Sequence, residues 1–189
     1  MKLKIIVAMT LSGVIGLNDN LLWHLPEDLK RYKLLTSNHA CIVGHNTFKS
    51  LPEKVFSNNR HYLVVTTDTN LIGKIETRNN SVIYYFDTVE AVIMFCDHSC
   101  EYNEVVYVIG GQKIYEQMIG YCHKCLVTYV MSPQNNTQFY NGNKFFPTYL
   151  LARDFVCNEN HEWKKSKGGL QYTFKEYERV RNYVDETKE

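Results

Sequence analysis

No stretch of the chain approaches the ~20 consecutive apolar residues that a membrane-spanning helix requires, so no membrane partner is expected. An excess of one charge is missing as well: 21 Lys and Arg against 20 Asp and Glu leave a formal charge of +1. No overall field then recruits nucleic acid or an anionic lipid surface, and any anion has to be gripped locally. Cysteine is sparse for a disulfide-built secreted scaffold. The six thiols, Cys41, Cys96, Cys100, Cys122, Cys125 and Cys157, sit in apolar or strand-like runs, which predicts reduced cysteines in a cytoplasm. Lys2 and Lys4 before the apolar residues 5–9 imitate the opening of a secretory signal. Thr10, Ser12 and Gly13 break that run, and no small-x-small cleavage site follows promptly. Repeats, low-complexity tracts and linker-like stretches are lacking too.

What is there is ordinary globular composition, 44% hydrophobic and 22% charged over 189 residues, enough for one buried core. One domain over residues 1–179 is expected, followed by a charged, unpatterned tail over 180–189. Short apolar runs at residues 4–9, 40–43, 62–66, 82–86, 105–109 and 126–130 are too short for helices and read as buried strands. Between them, Leu25, Leu29 and Tyr32 share a helical face, as do Val89, Val92, Ile93 and Cys96 after an Asp87/Glu90 capping pair. Ile114 and Met118 mark another short helix. From residue 155 to 177 the pattern alternates around Gly168-Gly169, as in an antiparallel hairpin. The fold predicted is α/β: one doubly wound, mixed but mostly parallel sheet ending in a C-terminal antiparallel hairpin.

Ligands of open α/β sheets bind at the carboxyl ends of the strands, and there the unusual residues gather. After the first strand come Gly13-Val14-Ile15-Gly16 and then Trp23-His24-Leu25-Pro26-Glu27-Asp28-Leu29. Pro26 suits a first helical turn, which puts Asp28 at the positive end of the helix dipole. On spacing alone Asp28 reads first as a helix-stabilising acid. The second block, Gly44-His45-Asn46-Thr47-Phe48-Lys49-Ser50-Leu51-Pro52, and the third, Ile109-Gly110-Gly111-Gln112-Lys113-Ile114-Tyr115, each place glycine between a strand and a helix. Backbone N–H groups at such helix starts suit phosphate.

Together, in this order, these blocks resemble the dihydrofolate reductase family, from about residue 4 to Arg179. The resemblance implies NADPH-dependent reduction of 7,8-dihydrofolate to 5,6,7,8-tetrahydrofolate in a monomer that also takes antifolate-like small molecules and needs no metal. It implies a catalytic set of Asp28, Trp23, Leu21, Thr128 and Tyr115. Asp28 would take the 2-amino group and N3 of the pterin as a bidentate acceptor, backed by Thr128 in Leu126-Val127-Thr128-Tyr129-Val130. Ile6, Val7, Ala8, Leu29, Tyr32 and Leu51 would line the substrate cleft, the Ile109 carbonyl would meet the pterin amine, and Arg60 would clamp the α-carboxylate of the glutamate tail. Cofactor contacts would come from Ala8, Ile15, Gly16, Gly44, Asn46, Ser50, Gly110, Gly111, Gln112, Ile114 and Tyr115, with Thr47 at the pyrophosphate. Thr66, Thr67 and Lys113 would meet the 2′-phosphoribose. A cis peptide is implied between Gly110 and Gly111, and the loop over residues 10–24 would close as a lid with Gly13 and Gly16 as hinges and Leu21 as its apolar contact.

Two positions depart from the family pattern. His45 stands where the family has arginine, which opens the choice between NADPH and NADH. In Gly142-Asn143-Lys144-Phe145-Phe146-Pro147, Asn143 replaces the usual aspartate. Other readings are a zinc site on the pairs Cys96/Cys100 and Cys122/Cys125, a reductase of a ribosylated pyrimidine on the same fold, and a non-catalytic protein that keeps the fold.

Overall fold

The computed structural model describes residues 1–18, 20–98, 105–132 and 141–180; Cys100 and most of the expected tail lie outside them. The chain opens with β1 (Lys2–Met9), β2 (Val14–Gly16), α1 (Pro26–Thr36), β3 (Ala40–Gly44), α2 (His45–Ser50), β4 (His61–Val65), β5 (Ile75–Arg78) and β6 (Ser81–Phe86). It continues through α3 (Val89–His98), β7 (Val105–Val108), α4 (Gln112–Met118), β8 (Lys124–Met131), β9 (Lys144–Phe145) and α5 (Thr148–Asp154). It closes with β10 (Phe155–Asn160), β11 (Lys164–Lys165) and β12 (Gln171–Arg179).

The main sheet runs β10-β12-β8-β1-β7-β3-β4-β6-β5, with β11 on β12, while β2 and β9 form a separate pair. Its middle, from β8 to β6, is parallel. The β12 strand runs antiparallel to β8 and to β10, so the expected hairpin is present and β12 lies inside the sheet. Because strand side chains alternate between faces, Ile5, Val7 and Met9 join a core with Val92 of α3 and Met118 of α4. Ile6 joins the other core with Phe48 of α2 and Tyr62, against which Tyr32 of α1 packs. Both faces are covered, which is why the central strands read as continuous apolar runs.

The helix at 89–98 is capped differently from expectation. Thr88, not Asp87, takes the capping role: its Oγ1 accepts the Ala91 N–H at 3.2 Å, satisfying one of the free donors of the first turn. The sheet also gains an antiparallel edge strand, β5, whose residues are all exposed.

One irregularity makes the cleft. Strand β7 pairs with β1 only as far as Ile5↔Val108, whereas β8 follows β1 to Met9↔Tyr129. Ile109 instead donates its N–H to the Ile42 carbonyl of β3 at 2.9 Å. The sheet is therefore split beside residues 6–9, at the carboxyl ends of its central strands.

Candidate active site

Asp28 enters this split from the first turn of α1, which starts at Pro26 after Leu25. The Thr128 hydroxyl of β8 donates to Asp28 Oδ1 at 2.6 Å. Burial pushes the Asp28 carboxyl above its ordinary value of 3.8; the Thr128 bond and the charge of Arg31 pull it part of the way back. The side chain nevertheless keeps some exposure. Trp23 packs with Leu25, Val130 and Tyr172 below it. Leu29 is 37% exposed on the helix face nearby, and Tyr32 and Leu51 are half-buried.

Across the split, the buried Tyr115 of α4 donates its hydroxyl to the Ile6 carbonyl at 2.8 Å, occupying a backbone acceptor that β7 has left free. Burial drives its phenol well above the usual value. Val7 is buried and Ala8 half-buried on the same strand. The peptide between Gly110 and Gly111 is cis. Gly110 has φ 101, and a Cβ there would lie 2.8 Å from the Tyr115 ring. A Cβ on Gly111 would lie 2.7 Å from Thr47 Oγ1. The starts of α2 and α4 thus meet over bare backbone, and helix starts carry N–H groups with no intrahelical acceptor. Donors of that kind beside a threonine hydroxyl fit an anionic pyrophosphate. The Ile114 side chain is buried in the core and its N–H is spent on the Gly111 carbonyl at 3.0 Å, while Asn46 is exposed. Ser50 spends its hydroxyl on the Thr47 carbonyl at 2.8 Å.

His45 Nδ1 lies 3.0 Å from Thr66 Oγ1, and the same oxygen accepts the Asp68 N–H at 3.1 Å. Thr66 is buried and orients His45, whereas Thr67 and Lys113 are exposed. Arg60 is 0% exposed. Its Nε donates to Thr36 Oγ1 at 2.8 Å and its Nη1 to the Val55 carbonyl at 2.6 Å, with the guanidinium 4.8 Å from the Tyr32 ring centroid. The guanidinium is thus enclosed by Thr36, Val55 and Tyr32, and no carboxylate among the described residues pairs with it. Phe56 is fully buried beside it in the 3-10 turn Glu53–Ser57.

The segment expected to act as a lid is tied down at its base. Val14 and Gly16 pair with Phe145 and Lys144. The Asn18 N–H donates to Asn143 Oδ1 at 3.0 Å, and Asn143 Nδ2 donates to Asn18 Oδ1 at 2.8 Å. Gln112 Oε1 accepts the Phe145 N–H at 2.9 Å. Gly13 has φ 83, consistent with a hinge, and Ile15 is half-buried. Leu21 is 65% exposed and caps nothing in this arrangement. Sequence reasoning missed the Asn18–Asn143 lock, the Gln112 tie and the placement of Arg31, since each depends on residues distant in the chain.

The thiols of Cys96, Cys122 and Cys125 are free and buried, and burial raises all three, Cys96 to about 12. That disfavours the thiolates a zinc site needs. Among the described residues no group of three His, Cys, Asp or Glu could hold a metal.

A part-buried carboxylate held by a threonine where a mostly parallel sheet is split, beside two helix starts that meet over glycine backbone, outlines a small α/β enzyme site. The family profile described as "Dihydrofolate reductase" matches residues 2–179. A "Dihydrofolate reductase" of Staphylococcus aureus is 31% identical over 174 residues, 92% of this chain and 96% of that one. "Dihydrofolate reductase type 9" of Escherichia coli is 35% identical over 139 residues, 72% of each chain. A dihydrofolate reductase from Enterococcus faecalis, complexed with NADP(H) and RAB-propyl, superposes with TM-score 0.74 at 22% identity, covering 95% of this chain and 97% of that one. The chain belongs to the dihydrofolate reductase family.

Proposed function

We propose that the chain reduces 7,8-dihydrofolate to 5,6,7,8-tetrahydrofolate with NADPH in the split between β1 and β7. The observation that carries this is the half-buried Asp28 carboxylate, fixed by Thr128 at 2.6 Å where the sheet opens. Its two oxygens match the paired N–H donors of the pterin edge. Bound NADPH would supply the hydride for pterin C6.

The chain's own residues do the rest. Backbone N–H groups at 45–47 and 111–113, with the Thr47 hydroxyl, would hold the pyrophosphate, the Gly44 N–H being spent on the Gly110 carbonyl at 2.8 Å. His45, Thr67 and Lys113 meet the 2′-phosphate. Asp28 holds and polarises the ring so that a water delivers the proton to N5. Tyr115, packed on Gly110 and bonded to Ile6, fixes the wall against which the reacting faces meet, so that orientation supplies much of the acceleration. The segment 10–24 excludes bulk solvent. Arg60, a buried cation with no carboxylate partner among the described residues, would receive the carboxylate of the glutamate tail.

The working unit is a monomeric domain over residues 1–179, and antifolate-like small molecules compete for the Asp28 pocket. The match over residues 2–179 supports that boundary, and five described cysteines that remain free thiols support a reducing, cytoplasmic setting. No helix among the described residues is long and apolar enough to cross a membrane. A spectrophotometric assay with dihydrofolate and NADPH tests the proposal; turnover of a ribosylated pyrimidine and none of dihydrofolate would refute it.

A further inference from the structure

Asp28 stands at one end of a row of charges that alternate in sign. Arg31 follows it by three positions on α1, a spacing that puts both side chains on one helical face. The Arg31 guanidinium lies 4.6 Å from the centroid of the Phe174 ring, with Nη2 3.4 Å from Glu176 Oε1 on β12. The other oxygen of Glu176 meets Lys124 Nζ on β8 at 3.1 Å, and Lys124 also reaches Glu178 at 3.0 Å. Side-chain exposure rises along the row, from 17% at Arg31 to 49% at Glu178, so the row leads from the buried cleft to the surface.

Glu176 is shared between two cations, and its contact with Arg31 is the longer one. Arg31 Nη1 is buried and makes no hydrogen bond. The positive charge beside Asp28 is therefore only partly offset by Glu176, in surroundings of low permittivity where it acts over several ångströms. The other groups that face this pair are the Thr128 hydroxyl on Asp28, Tyr115 from α4, Glu159 of β10 and Tyr107 of β7 on the Arg31 side, and Glu27 one turn earlier on α1. Glu27 Oε2 is buried and also without a hydrogen bond, so it does not cap the guanidinium.

We propose that Arg31 is a positioning residue for the reaction: a buried cation that keeps Asp28 ionised, with Glu176 and Lys124 setting how much of its charge Asp28 feels. The proposal rests on Asp28 being the pterin anchor. Burial alone would favour a protonated, neutral Asp28, and Arg31 opposes it. A neutral carboxyl would lose one of the two acceptors that the pterin edge needs.

The row makes a prediction of sign that a structural role for Arg31 does not. Arg31→Met removes the cation and should move the Asp28 titration upward, by about one pH unit. Glu176→Gln removes the anion that partly neutralises Arg31 and should move it downward by less. Arg31→Lys should largely restore the natural value. The test is a titration of carbon-13-labelled Asp carboxyls in the ligand-free protein, with the pH profile of kcat/KM for dihydrofolate recorded in parallel. Opposite shifts from Arg31→Met and Glu176→Gln, followed by the pH profile, support the proposal. Shifts of the same sign, or none in folded variants, overturn it. Opposite carboxyl shifts that the pH profile ignores would instead remove Asp28 as the pterin anchor, leaving the electrostatic coupling in place.

Discussion

The hydroxyl of Thr128 and the carboxylate of Asp28, a hundred residues apart in the chain, are joined by a 2.6 Å hydrogen bond that ties α1 to β8. This bond both aims the carboxylate and favours its charged form. Thr128→Val keeps the shape and removes the donor. It should lower kcat/KM for dihydrofolate about tenfold, the equivalent of one charge-assisted hydrogen bond, and shift the pH profile upward. Steady-state kinetics across pH check this; an unchanged profile would mean that Thr128 only packs.

Burial of Asp28 also carries a stability cost. Its carboxyl is raised above 3.8 in the folded chain, so between 3.8 and that raised value the native state holds the proton that the unfolded state has released. Stability therefore falls as pH rises through this window, and the cost is complete at neutral pH. Asp28→Asn escapes it. Its Tm should exceed that of the natural protein at neutral pH, and the gap should close as pH approaches 3.8. Thermal unfolding at several pH values measures this, and a lower Tm for Asp28→Asn at neutral pH would argue against the burial cost.

Arg60 is buried and holds Thr36 and Val55 in place, so Arg60→Ala should destabilise the fold as well as the ligand, by about 2–4 kcal/mol. The informative quantity is a ratio. Loss of affinity should be at least tenfold greater for dihydrofolate than for a truncated pterin without the glutamate tail, measured by binding titration on folded protein. Equal losses would assign Arg60 to the scaffold alone.

His45 is oriented by Thr66 at the start of α2. His45→Arg should tighten NADPH several-fold, because a guanidinium grips a phosphate in bidentate fashion, and should leave NADH nearly unchanged. Fluorescence titration of both cofactors decides it. Equal tightening of both would place His45 away from the 2′-phosphate.

Much of this architecture is legible in the sequence because it is local. Strands β3, β4 and β8 are buried on both faces and read as unbroken apolar runs, and Trp23-x-Leu25-Pro26-x-Asp28 marks the start of α1 by its proline and its acid. The exposed strand β5 has no apolar pattern, so it gives no signal. Thr88 was hidden beside the more suggestive Asp87. Arg31 looks like any helix-surface cation until β12 brings Glu176 to it, 145 residues later. The Asn18–Asn143 lock spans 125 residues. Long-range pairings of this kind are set by sheet register, which no short motif encodes.

The most direct test is a pH profile of kcat/KM for dihydrofolate in the natural protein and in Asp28→Asn, alongside an NADPH-binding titration. With Asp28 as the pterin anchor, the substitution lowers kcat/KM by about 10²–10⁴-fold at neutral pH, part of the rate returns as the pH falls and the substrate arrives already protonated, and NADPH affinity stays the same. A folded Asp28→Asn protein with near-natural activity at neutral pH would contradict the account and reduce Asp28 to a helix-stabilising acid.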